Sequence, residues 1–165
     1  MGGSAAKRKG SSFERDIANK LSEMTGESFI RAPGSGAYVG GANAHRKEFL
    51  HEGQIRTFKG DIVPGPSYTH WNIECKSYAD FPFHTLMAGK KVAPLDKWID
   101  QMLDVEDDGD FNILFMKFNR KGTFMCYENS NDGLRMIDGT TIFYKTFDRS
   151  WVFTSFENAQ QLLQK

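Results

Sequence analysis

Two short runs of this sequence decide the fold: Gly60-Asp61-Ile62-Val63 and Trp71-Asn72-Ile73-Glu74-Cys75-Lys76. The first run predicts a short strand that is stopped by a turn rich in Pro and Gly, and the second predicts a strand with one buried face. Because side chains alternate between the two faces of a strand, Glu74 and Lys76 project together, about 7 Å apart along it. Asp61 completes a cluster if it lies at the end of the neighbouring strand.

Two carboxylates and a lysine in this layout are typical of a divalent-metal phosphodiesterase. Oxygens of Asp61 and Glu74 can hold Mg²⁺ and leave coordination positions for water and a phosphate oxygen. A bound cation lowers the pKa of water and offsets the charge of the scissile phosphate. Lys76 can orient the nucleophile or stabilise developing negative charge. The alternative is a strand pair with ordinary surface charges, and Asp61 together with the flanking apolar residues favours the catalytic interpretation.

The amino-terminal segment predicts a helix that begins after Ser11 and ends before Gly26. Its apolar side chains recur at helical spacing, at Phe13, Ile17, Leu21 and Met24. Ser11 and Glu14 also match a Ser-x-x-Glu capping box, so Glu14 has a purely structural interpretation as well as a functional one. Residues 1–10 are expected to form a flexible basic arm that precedes a single domain of residues 11–165.

The remaining pattern predicts an α/β domain in which helices flank a central mixed sheet. Residues 32–44 and 79–87 are expected to be irregular, and residues 45–55 have a mixed helical character. The predicted strands are 29–31, 111–118, 123–127 and two edge strands at 141–147 and 150–154, and the predicted helices are 94–105 and 157–164. The aromatic side chains of the second half are interpreted as core rather than as stacking surfaces for bases.

Four segments resemble known nucleases. Asp61 and Glu74-Cys75-Lys76 resemble the core motif of the PD-(D/E)XK nuclease superfamily. The runs Lys9-Gly10-Ser11-Ser12-Phe13-Glu14-Arg15-Asp16 and Arg31-Ala32-Pro33-Gly34-Ser35-Gly36 are similar to the opening of archaeal-type Holliday-junction resolvases. The resemblance implies a restriction-endonuclease-like core and a prokaryotic or bacteriophage source. It also implies that a glutamate of the first helix, Glu14 by position, joins the metal site.

The resemblance assigns roles to individual residues. Asp61, Glu74 and Glu14 are expected to ligate Mg²⁺, for which Mn²⁺ can substitute, and the backbone carbonyl of Cys75 adds an oxygen ligand. Lys76 is expected to position the nucleophile. The predicted catalytic residues are therefore Glu14, Asp61, Glu74 and Lys76, and the products carry a 5′-phosphate and a 3′-hydroxyl.

The chain departs from the resolvase pattern in two places. In the resolvases the Ser-Gly element is followed almost at once by the catalytic aspartate, whereas here residues 37–59 intervene. This insert is expected to be either a DNA-binding loop or an altered substrate gate. The position before Asp61, where the motif has proline, is Gly60, and we expect this change to have mild consequences.

The formal net charge of zero is unusual for a DNA enzyme, so the distribution of charge has to provide the contact with phosphate. Acidic residues gather between positions 100 and 110, away from the basic groups. The predicted DNA-binding residues are Lys7, Arg8, Lys9, Arg31, Ser35, Gly36, Arg46, Lys47 and Lys59.

Length and composition bound the class of protein. A chain of 165 residues with 14 Phe can bury a sizeable core in one domain. No apolar run approaches the length of a membrane span, and the start lacks the apolar centre of a secretory signal. Cys75 and Cys126 are expected to be reduced, buried thiols. We therefore expect a cytoplasmic protein of a prokaryotic or phage-infected cell.

Three functions are compatible with these observations. The first is a structure-selective DNA endonuclease, a Holliday-junction resolvase that acts as a homodimer because a four-way junction needs two symmetric nicks. The second is another nuclease with the same metal site, either a restriction-like endonuclease or an exonuclease. The third is a branched-DNA-binding module without catalysis, and the intact set of Asp61, Glu74 and Lys76 favours the enzymes over it.

Overall fold

The computed structural model describes residues 3–33, 59–129 and 139–163. A five-stranded sheet lies at its centre, with a separate two-stranded sheet beside it. The elements in chain order are α1 (Gly3–Thr25), β1 (Ile30–Arg31), β2 (Ile62–Val63), a turn of 3-10 helix (Pro66–Tyr68), β3 (Trp71–Tyr78), α2 (Phe83–Met87), α3 (Ala93–Leu103), β4 (Phe111–Phe118), β5 (Gly122–Glu128), β6 (Thr141–Thr146), β7 (Arg149–Ser155) and α4 (Phe156–Leu163).

The central sheet is mixed, as the sequence predicts. Its strand order is β3-β4-β5-β7-β6, and β3 pairs with β4 in parallel while the other pairs are antiparallel. A parallel pair needs a crossover, and α2 and α3 lie in the chain between β3 and β4. The β1–β2 pair is antiparallel and lies beside the outer edge of β3. This architecture confirms an α/β fold with a restriction-endonuclease-like core.

Helices cover both faces of the sheet, so β4 is apolar on both sides. Ile113 and Phe115 belong to the core that α1 closes, whereas Leu114 and Met116 belong to the core that α3 closes. The helix α1 contributes Phe13, Ile17, Ala18 and Leu21, and α3 contributes Leu95, Trp98, Ile99 and Met102. The apolar stripes that the sequence predicts for both helices are therefore confirmed.

The predicted start of α1 is wrong. The helix begins at Gly3 rather than after Ser11, so residues 3–10 lie on it instead of forming an arm outside it. Most residues between Gly3 and Ser11 favour a helix, and one internal glycine costs only about 1 kcal/mol. Ser11 and Glu14 therefore lie inside α1, and the predicted capping box does not exist.

Two further predictions need correction. Residues 79–87, expected to be irregular, contain the short helix α2. The strand β7, expected at an edge, lies between β5 and β6, with Trp151, Val152, Phe153 and Thr154 all buried. An apolar strand of this length does not reveal from its sequence how many neighbours it has.

Several other predictions that fall on the described residues are confirmed, whereas the irregular segment from residue 34 to 44 and the segment 45–55 lie outside them. The helices α3 and α4 and the hairpin of β4 and β5 lie within two residues of their predicted bounds. Cys75 and Cys126 are free and buried. In the described residues, none of the helices is both long and apolar enough to cross a membrane.

Candidate active site

Asp61 is locked against the outer edge of β3. Its backbone N–H donates to the carbonyl of Ile73 at 2.8 Å, and its Oδ2 accepts the backbone N–H of Cys75 at 2.8 Å. Its own carbonyl accepts the N–H of Ala32 at 2.9 Å, which ties it to the end of β1. Asp61 is only 6% exposed. These contacts hold the carboxylate beside β3, one residue from Glu74, as the sequence predicts.

Gly60 makes this close approach possible. Its φ is +66°, a left-handed conformation that glycine adopts without a steric penalty. A Cβ at this position would lie 2.5 Å from the carbonyl oxygen of Ile73, the same oxygen that accepts the Asp61 N–H. Proline, which holds φ near −65°, cannot adopt this backbone. Gly60, at the position where the motif has proline, therefore belongs to a turn that proline could not form.

Glu74 and Lys76 project from the same face of β3, as their spacing predicts. Lys76 Nζ donates to Glu74 Oε1 at 2.6 Å, and Glu74 is 8% exposed. The intervening Cys75 points into the core on the opposite face, where α1 packs. The backbone of Cys75 thus faces Asp61 while its thiol is buried.

Glu14 reaches the same region from α1. Its Oε2 accepts a hydrogen bond from Arg31 Nε at 2.5 Å. The two residues are 17 positions apart, and only the packing of α1 against β1 brings them together. Because Glu14 lies inside the helix and is held by Arg31, the structural interpretation of Glu14 as a helix cap is excluded.

The three carboxylates repel one another in a buried environment. Burial and the charge of Asp61 raise the pKa of Glu74 to about 7, despite the nearby Lys76 ammonium. Burial and Asp61 also raise the pKa of Glu14, and Arg31 opposes this shift. Burial by itself would lower the pKa of Lys76, but the Glu74 and Asp61 carboxylates outweigh it and the pKa is raised. The site therefore gains stability from any added positive charge.

These donors suit a hard divalent cation. All are carboxylate oxygens, with the option of a backbone carbonyl, and their mutual repulsion favours an ion that neutralises them. Within the part of the chain that the structure describes, no group of three or more acidic, thiol or imidazole side chains is arranged so that it could hold a metal ion. Glu74 and Glu14 are instead engaged by Lys76 and Arg31.

We predict that the metal-free protein loses stability as the pH rises from about 4.5 to about 7. Folding raises the pKa of Glu74 from its ordinary 4.5 to about 7. The folded state therefore binds more protons between these values, and the contribution is present at low pH and lost as the pH rises through the folded pKa. Thermal unfolding in EDTA should show a fall in Tm between about pH 4.5 and about pH 7 that is clearly smaller in Glu74→Gln, where only the raised pKa of Glu14 still contributes in the same direction. If the Tm of both proteins depended on pH in the same way, the raised pKa of Glu74 would be contradicted.

The predicted DNA-binding residues are distributed unevenly. Arg8 and Lys9 are exposed on α1, up to about 9 Å along the helix axis before Glu14. Arg31 lies at the site itself, in its pair with Glu14. The predicted residues Ser35, Gly36, Arg46 and Lys47 lie outside the described residues, as does the side chain of Lys7.

Lys59 is mostly buried, whereas the predicted contact with DNA requires an exposed ammonium group. It is 9% exposed, and its ammonium pairs with Asp107 at 3.0 Å and with Asp110. The positive charge is thus engaged by the acidic segment that follows α3. We therefore leave Lys59 out of the proposed contact with DNA.

We predict that Lys59→Met destabilises the protein without weakening its binding to DNA. Loss of the ammonium leaves Asp110 buried without this partner, which should cost about 2 kcal/mol. Urea unfolding measures the stability of the variant, and a binding assay on the same preparation measures its affinity for DNA. Arg8→Met, a substitution at an exposed position, is the control. A Lys59 variant with normal stability and weaker DNA binding would restore the sequence-based prediction.

One residue of this region was not identified from the sequence. Tyr78 lies two residues beyond Lys76 on β3 and is exposed, although the strand alternation that pairs Glu74 with Lys76 also places Tyr78 on their face. The Glu14–Arg31 contact had no sequence signal, because it joins two distant segments.

Comparison with known proteins places this chain in a family. The model of the family described as "Phage putative PDDEXK endonuclease" matches residues 5–165. The matched range contains Glu14, Asp61, Glu74 and Lys76. Neither the curated proteins nor the solved structures include a match to this chain.

Proposed function

Because this chain belongs to the phage PDDEXK endonuclease family, we propose that it is a divalent-metal-dependent DNA endonuclease. The observation that carries the proposal is a contact at the edge of β3. There the backbone N–H of Cys75 holds the Asp61 carboxylate next to Glu74. The raised pKa of Glu74 supports it, since strongly shifted carboxyl groups cluster at catalytic and metal-binding positions.

In the proposed site, Asp61, Glu74, Glu14 and the carbonyl of Cys75 would hold Mg²⁺, and Mn²⁺ could replace it. A cation bound there supplies neutralisation of the scissile phosphate and activation of water. To take part, Glu74 and Glu14 exchange their present partners, Lys76 and Arg31.

Lys76 is the proposed positioning group for the nucleophile. After Glu74 turns away, the ammonium of Lys76 remains beside the reacting phosphate, where it orients the attacking water and stabilises negative charge on the phosphate oxygens. The water oxygen bonds to phosphorus in line with the breaking bond to the 3′ oxygen. The 3′ oxygen leaves and accepts a proton, so the products carry a 5′-phosphate and a 3′-hydroxyl.

We further propose that the substrate is branched DNA, most specifically a four-way junction, and that the enzyme acts as a homodimer. The support is the similarity of the runs 9–16 and 31–36 to junction resolvases. Glu14 and Arg31, one from each run, form an ion pair at the candidate site. A two-fold dimer would present two such sites to a junction, as paired symmetric nicks require.

A gel assay on labelled DNA tests both the proposed endonuclease activity and the proposed preference for four-way junctions. Purified protein with Mg²⁺ is added to an immobile four-way junction and to a linear duplex of matched sequence, with Asp61→Asn as the control. Paired symmetric nicks in the junction alone support the resolvase proposal, and cleavage of both substrates supports a general DNase. Binding without cleavage in Mg²⁺ or Mn²⁺ would contradict the enzymatic proposal.

A further inference from the structure

Tyr78 extends the candidate site along β3. Alternation places it on the face that carries Glu74 and Lys76, about 7 Å beyond Lys76 and about 13 Å beyond Glu74. It is 50% exposed, so half of this residue is open to solvent beside the candidate site.

The ring of Tyr78 is held in place from one side. Its centroid lies 4.8 Å from the ring of Trp98, with an angle of 30° between the planes. Trp98 itself is buried and packs near Phe81 and Phe118 in the α3 core. The protein therefore supports Tyr78 against rigid aromatic groups and leaves part of its surface exposed, as a stacking surface requires.

Charged side chains lie on both sides of this ring in the chain, and the ion pair of Asp80 with Lys121 follows it. Lys76 precedes it on the same strand face. The turn between β4 and β5 follows it, because Tyr78 pairs with Phe118 and its carbonyl accepts the Asn119 N–H at 3.3 Å. Arg120 is exposed in that turn. An exposed ring with Lys76 on its strand face and Arg120 exposed in the neighbouring turn suits a nucleotide, since a ring stacks on a base while cations face phosphates.

We propose that Tyr78 is a stacking platform for an unpaired base of the DNA, next to the phosphodiester that the site cleaves. This inference rests on the proposed function and deepens it. Tyr78 lies about 7 Å beyond Lys76 along the strand, which places the ring within a few nucleotides of the candidate site. In an intact duplex every base is already stacked and paired, so the platform is used only where bases are unpaired. Tyr78 thereby favours DNA with unpaired bases, such as a fork or a junction opened at its centre, over continuous duplex.

The test compares Tyr78→Ala with Tyr78→Phe, which keeps an aromatic ring, and with Tyr78→Leu, which keeps apolar packing on Trp98. Phe143→Ala is the matched control, since Phe143 is 53% exposed on β6 at the opposite edge of the sheet. The substrates are a forked DNA with 2-aminopurine at unpaired positions beside the branch and a duplex of equal length. Affinity and 2-aminopurine fluorescence are measured in the Asp61→Asn background, and kcat and KM with Mg²⁺ in the otherwise unaltered protein.

We expect Tyr78→Ala and Tyr78→Leu to weaken binding of the fork by about 10-fold to 100-fold and to leave duplex binding unchanged. The loss should fall in KM, with kcat within about twofold, and only the two variants without the ring should fail to quench 2-aminopurine. If these variants bound the fork as tightly as the unaltered protein, or lost as much affinity for the duplex as for the fork, the proposed stacking role of Tyr78 would be wrong. The binding and fluorescence measurements in Asp61→Asn do not depend on cleavage, so failure of the platform and failure of the nuclease proposal give different results.

Discussion

Glu74→Gln will reduce the rate of DNA cleavage by about a thousandfold or more, while the affinity for DNA stays within about threefold of the unaltered protein. The substitution keeps the size of the side chain, and its amide oxygen can still accept the hydrogen bond that Lys76 donates at 2.6 Å. It removes the negative charge that a divalent cation requires. Single-turnover cleavage with saturating enzyme measures the first effect, and fluorescence anisotropy in EDTA measures the second.

The control for this substitution is Glu23→Gln, which removes an exposed carboxylate of α1 away from the site. It should cleave at the normal rate. If Glu74→Gln retained a rate within about tenfold of the unaltered protein, Glu74 would have no place in the mechanism. Because Gln cannot titrate, the same variant also serves in the measurement of pH-dependent stability.

Gly60→Ala will destabilise the protein by about 3 kcal/mol and remove most of the cleavage activity. Two costs combine: an alanine at φ +66° is strained, and its Cβ would meet the Ile73 carbonyl at 2.5 Å. That carbonyl also accepts the N–H of Asp61, so the shift that relieves the clash moves this proposed catalytic residue. Urea denaturation measures the free energy of unfolding, and the cleavage assay measures the loss of activity.

Gly89→Ala separates these two costs. Gly89 has the same φ of +66°, but no atom lies within 4 Å of an added Cβ. This variant should lose only about 1 kcal/mol, the cost of the left-handed backbone, and keep full activity. Equal destabilisation of the two variants would mean that the contact of Gly60 with Ile73 contributes nothing.

Local patterns predicted much of the site. The positions of Glu74 and Lys76 on one face follow from the two-residue period of a strand, which needs no knowledge of the rest of the fold. The approach of Asp61 to them follows from two short strands separated by one turn. The helix α3 and the β4–β5 hairpin were also predicted, because their apolar spacing and turn residues act over a few positions.

The start of α1 was predicted incorrectly from the same kind of evidence. Ser11 and Glu14 have the composition of a capping box, but a cap forms only where the helix actually begins. The preceding residues favour a helix too, so the chain continues as a helix back to Gly3. A capping motif and the helix propensity of the residues before it predict different starts for the same helix. The motif alone does not show which of the two prevails.

The sequence by itself determined the α/β class, the register of Glu74 and Lys76, and the chemical nature of the donors, because these depend on residue type and on short-range periodicity. Only the tertiary structure decided that Glu14 pairs with Arg31, that Lys59 is engaged by Asp107 and Asp110, and that Tyr78 rests on Trp98. Each of these contacts joins residues far apart in the chain. Their formation depends on how helices and strands pack, and on the charge and burial that packing creates, which no local pattern contains.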